Sequence, residues 1–134
     1  VEGLTVGYAK GDQQTGINVD ASKSTAYVKY AVGGFTVGYQ VSESDHDTAA
    51  SSLDSTAYGV TYAVNDDFSI GYSYHKTEFN SGATNNTDQE STGVSASYTM
   101  GGMTLGGAMN EVDNRGGTGT TDREGYEFGL SFAF

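Results

Sequence analysis

Every second residue is large and apolar along eight stretches of this chain. Leu4, Val6 and Tyr8 open the series, and Ala26 to Val32 and Phe35 to Val41 follow in the same step. Tyr58 to Val64, Phe68 to Tyr74 and Val94 to Met100 continue it, and Met103, Leu105 and Met109 form a seventh set interrupted at Gly107. The last set, Tyr126, Phe128, Leu130, Phe132 and Phe134, alternates without a miss. Small or polar residues lie between them, such as Thr36, Gly38 and Gln40, or Ser69, Gly71 and Ser73. Successive side chains of an extended strand point to opposite faces. The pattern therefore predicts eight strands, each greasy on one face and polar on the other. No window carries a competing helical period.

The connections alternate as well. Gly33-Gly34, Asn65-Asp66-Asp67 and Gly101-Gly102 are tight turns made of residues that tolerate positive φ. Between them run long polar stretches, about 11–23, 42–55, 77–91 and 110–124. Short turns at one end and long loops at the other describe an up-and-down antiparallel meander over residues 1–134, with four external loops. Aromatic residues gather toward both ends of the strands, Tyr30, Phe35, Phe68, Tyr98 and Phe132 near the turns and Tyr8, Tyr39, Tyr58, Tyr74 and Tyr126 near the loops. Val28, Val37, Val60, Ile70 and Leu105 fill the middle. Two aromatic girdles around an aliphatic band match the two interfaces of a bilayer. A soluble β-sandwich also alternates, but it has no reason to sort its loops by length.

Composition sharpens this picture. Only 36% of the 134 residues are hydrophobic, 20 are glycine, and leucine occurs at four positions, too little to fill a conventional core. No run approaches the roughly 20 apolar residues of a spanning helix, yet a barrel strand spends only every second residue on lipid. The formal charge of −11 and the six scattered basic residues exclude nucleic acid as a partner. Cysteine is absent. No secretory leader precedes Val1, so the export signal is expected upstream of it or already removed.

Taken together, the chain resembles a Gram-negative porin, of the general-diffusion type found in alphaproteobacteria. The resemblance runs over the whole chain. It is carried by hairpins of the form Ala-Tyr-x-x-x-Tyr-x-x-Gly-Gly-Phe-x-x-Gly-Tyr from Ala26 to Tyr39, and by the ending Gly-Leu-Ser-Phe-Ala-Phe from Gly129 to Phe134. Such porins have sixteen strands, form homotrimers and fold one loop into the pore. The resemblance thus implies a transmembrane β-barrel of which these eight strands are the C-terminal half, the half without the constriction loop. It implies an outer-membrane location and contact with the lipid bilayer and lipopolysaccharide. The function implied is passive diffusion of small hydrophilic solutes and ions through a water-filled pore. The aligned set Tyr126, Phe128, Leu130, Phe132 and Phe134 then corresponds to the signal read by the outer-membrane assembly machinery. A small closed eight-stranded barrel with an adhesive or structural role is the alternative, since eight strands suffice for closure. Its narrow interior would need filling, and the predicted inward face is mostly Gly, Ser, Thr and Ala.

The larger inward residues, Lys29, Gln40, His75, Asn110 and Glu127, are the candidate pore lining. Nothing in the sequence suggests an enzyme: His46 and His75 stand apart, with no Ser, Asp or Cys at the spacing of a triad or metal site. No cofactor is expected. Carboxylates crowd the long loops, and clustered carboxylates suit Ca²⁺ or Mg²⁺, although Asp45-His46-Asp47 lacks the ordered spacing of a calcium loop. As a pore mouth, those loops would favour cations. Asn85-Asn86-Thr87 matches a glycosylation acceptor, which has no meaning in a bacterial barrel.

Overall fold

A computed structural model describes residues 2–14, 20–46, 51–80 and 87–133. Eight strands follow in chain order: β1 (Leu4–Gln14), β2 (Asp20–Val32), β3 (Phe35–His46), β4 (Ser51–Ala63), β5 (Phe68–Asn80), β6 (Gln89–Met100), β7 (Met103–Asp113) and β8 (Arg123–Phe132). Each pairs antiparallel with the next, in a single sheet of order β1 to β8. The expected all-β, up-and-down architecture is the one observed. The candidate assembly residue Phe134 lies outside the described residues, as do Asp47, Asn85 and Asn86 and the side chain of His46.

The tight turns form for local reasons. Gly101 and Gly102 both take positive φ, 56° and 82°, as a type I′ hairpin requires. At Asn65 the side-chain Oδ1 accepts from the backbone N–H of Asp67 at 2.9 Å and of Phe68 at 2.8 Å, closing an Asx turn. The strands themselves run further than their apolar alternation suggests. Ten to thirteen residues long, they extend into every stretch expected as a loop, from Gly11–Gln14 and Asp20–Lys23 of the first to Asn110–Asp113 and Arg123–Glu124 of the last. A bilayer needs about 9–11 residues per strand, so the β2–β3 and β4–β5 hairpins, with strands of 12 and 13 residues, stand proud of it. There water reaches both faces, and no hydrophobic period marks the strand.

The sheet has no core. Among the described residues, the buried side chains are those of Ala21 and Thr77. On the apolar face Val6, Tyr8, Tyr126 and Phe128 are 67–83% exposed. Nor does the sheet close, because β1 and β8 make no contact among the described residues. This is an open eight-stranded wall with two free edges, not the closed small barrel. Packing explains why: a closed eight-stranded tube must be filled by side chains, and the polar face offers glycine and hydroxyls instead.

Candidate pore-lining face

The pairing register is continuous across all seven hairpins and interfaces, so each side chain can be assigned to a face. On one face Val28 lies opposite Val6 and Tyr39, Val60 opposite Val37 and Tyr72, and Leu105 opposite Tyr98 and Leu130. The aromatic rows stack: Phe35 and Tyr62 have ring centroids 4.2 Å apart near the turns, and Tyr58 and Tyr74 5.0 Å apart near the loops. A band of this kind is matched to lipid, since water would leave it unpaid by any burial.

The other face is a ladder of small polar groups. Ser69 and Ser97 hydroxyls lie 3.0 Å apart, as do those of Thr99 and Thr104, and Ser55 meets Thr77 at 3.3 Å. Glycines let this wall lie flat. At Gly7 an added Cβ would fall 2.1 Å from the ring of Tyr27, so the tyrosine lies directly over the β1 backbone. Hollows line this face, one of them from Thr61 across Ser95 to Glu127 and another from Lys29 across Gly59 to His75. All five candidate lining residues, Lys29, Gln40, His75, Asn110 and Glu127, fall on this polar face. They do not converge. Gln40 and His75 share one cross-strand row through Ala57, Lys29 and Asn110 the next through Gly59, Ser73 and Gly93, and Glu127 the one after.

Carboxylates are sorted by the same register, in a way the expectation of an acidic pore mouth did not anticipate. Ten of the seventeen lie on the apolar side of the sheet, above the outer aromatic row. Glu43, Asp54 and Glu78 stand directly opposite one another across β3, β4 and β5. Glu90 faces Asp113, and Glu111 faces Glu124. Asp12, Asp20 and Asp45 belong to the same face. Lys76, just beyond Tyr74, is bound by Glu78 at 2.7 Å and Asp88 at 2.8 Å. Hydrogen bonds to Asp88 and then Glu78 hold its ammonium above the usual lysine range. Among the described residues no three His, Cys, Asp or Glu side chains converge on a metal position. Among the described strand residues the polar face itself carries Lys23, Lys29 and Arg123 against the lone carboxylate Glu127.

Alternation along β3 held the signal for this sorting: Tyr39, Val41, Glu43 and Asp45 step with the same period and so share one face. The β7–β8 connection was not foreseen as structured. Residues 114–122 fold onto the end of the β5–β6 hairpin, where Asn114 Nδ2 donates to the carbonyl of Asp88 at 3.1 Å and the Gly116 N–H to Gln89 Oε1 at 2.9 Å. Gly117 packs beside Phe79, a residue of the polar face.

Compared with known proteins, residues 5–134 match the family model described as Gram-negative porin. Searches of curated proteins and of solved structures returned no significant match.

Proposed function

The chain belongs to the Gram-negative porins, and from that membership we propose that its polar face lines a water-filled pore through which small hydrophilic solutes and ions diffuse passively. The family sets the protein in the outer membrane, with lipid on one side of the strands and passing solutes on the other. One observation supports the reading above the rest: a continuous register gives the sheet one face with an apolar band and one face made mostly of Gly, Ser, Thr and Ala, which the 114–122 segment meets at its loop end beside Phe79. Lys29, Gln40, His75, Asn110 and Glu127 are then the larger groups that solutes meet. Solutes are selected by bore and wall charge, with no catalytic step. The two free edges support a barrel completed by further strands, as in a sixteen-stranded wall. Tyr126, Phe128, Leu130 and Phe132, aligned on the apolar side of β8, support a role in recognition by the assembly machinery.

The cation preference expected from the loop carboxylates does not follow from this arrangement. Ten of them face away from the polar wall, toward the level of lipopolysaccharide, and act on the pore only at long range.

Reconstitution in a planar bilayer tests the pore. Stepwise conductance that rises in proportion to salt is the expected result. Inserted protein that leaves the bilayer silent would contradict it and favour an adhesive or structural role.

A further inference from the structure

We propose that the polar face of β2 and β3 is an anion-guiding track, in which Lys29 and Lys23 with Gln40 between them draw small carboxylate and phosphate anions along the pore wall. The inference rests on the pore reading and adds a solute class that the net charge of −11 would not suggest.

Lys23 and Lys29 project from the same face of one strand. Six residues separate them, roughly 20 Å along the strand, with Thr25 and Tyr27 on the same face in between. Gln40 sits opposite Tyr27, and its Nε2 donates to Ser42 Oγ at 3.2 Å, while Ser42 also meets the Thr25 hydroxyl. Lys23 Nζ donates to Gln13 Oε1 at 3.2 Å, a neutral partner, and forms no ion pair among the described residues. Lys29 is exposed, forms no ion pair among the described residues and lies beside Gly38, where an added Cβ would meet nothing closer than 4.0 Å. An ammonium there is free to reach into the lumen.

Two physical points decide its effect. The carboxylates that flank Lys23 across the ladder, Asp12 on β1 and Glu43 and Asp45 on β3, are on the opposite face of the sheet. Among the described strand residues the one carboxylate on the same face, Glu127, is six strands away on β8, roughly 29 Å around the wall. That distance exceeds the Debye length of about 8 Å at physiological salt, so the two charges act on different sectors and do not cancel. Behind Lys29 are Val28, Tyr30 and Val37, which face lipid. A low-dielectric backing turns the field of a wall charge into the water-filled side. Even at the dielectric of water, a unit charge about 10 Å from an ion's path changes its local concentration about twofold.

The test is the reversal potential of the outer-membrane protein in planar bilayers, under gradients of potassium chloride and of potassium phosphate at about 0.05 M. Lys29→Gln should lower the anion-to-cation permeability ratio at least about twofold, and Lys23→Gln with Lys29→Gln should lower it further. Lys29→Arg, which keeps the charge, should restore the parent ratio and shows that the position tolerates substitution. Lys10→Gln, on the lipid side of β1, should leave the ratio unchanged. Parent-like ratios in the double variant would overturn the track while leaving the pore intact. Silence of the unsubstituted protein would overturn both.

Discussion

Arginine at Val37 is expected to destabilise the protein in lipid by about 2–4 kcal/mol, the cost of a guanidinium on a barrel's lipid face near mid-membrane. Val37 is 49% exposed, with Tyr30 and Val60 opposite it and Phe35 and Tyr39 to either side on the same strand and face. No carboxylate stands among its neighbours on that face to pair the charge. Gly38, the next residue, points the other way, and its surroundings are open enough that an added Cβ meets only Val28 O at 4.0 Å. Gly38→Arg should therefore cost no more than an ordinary surface change, about 0.5 kcal/mol. Urea unfolding in lipid vesicles measures both. Equal losses would mean that the two faces have been assigned wrongly.

Gly3→Ala is expected to be the most damaging change outside the lipid band, at about 1–3 kcal/mol. Gly3 has φ of 80°, and its missing Cβ would fall 2.2 Å from the carbonyl oxygen of Ala31. That oxygen belongs to the β2 backbone and cannot swing aside as a side chain would. Gly3 also accepts a hydrogen bond from the Ala31 N–H at 2.9 Å, the first link between β1 and β2 beyond the strands proper. Relief of the clash must move β1 at a free edge of the sheet. Gly33→Ala separates the two effects: its φ is 56° but nothing lies within 4 Å of the added atom. It should incur only the left-handed backbone cost, about 1–2 kcal/mol. A larger loss at Gly33 than at Gly3 would show that the β1–β2 contact is not formed as described.

Strand existence, order and facing were legible in the sequence wherever lipid touches the sheet, because there one face must be apolar and the period of two is written in large residues. Turn chemistry was equally local, as at Asn65 and Gly101-Gly102. What the alternation could not mark was strand length. Beyond Tyr39 or Tyr74 water bathes both faces, so Ser42 to His46 and Thr77 to Asn80 look like loop although they are paired. Reading them as loop also hid the facing of their charges. Glu43, Asp54 and Glu78 looked like a pore mouth, whereas the register turns them to the outside of the wall. Lys29 and Glu127 carry opposite charge on the same face, and only the strand order shows that they belong to different sectors of the wall. The folding of 114–122 onto Phe79 and Gln89 depends on contacts far apart in the chain, for which the sequence offers no local sign.

The central claim, that one face of this sheet meets lipid and the other meets water, can be read directly by cysteine scanning, because the chain has no cysteine of its own. Single cysteines at Ser69, Ile70, Gly71, Tyr72 and Ser73 of β5 would be exposed in intact outer membranes to a small, water-soluble maleimide. Labelling at 69, 71 and 73 with protection at 70 and 72 is the expected result, following the polar and apolar faces of the strand. Labelling at 70 and 72, or no labelling at 69, 71 and 73, would contradict a water-filled pore lined by this face.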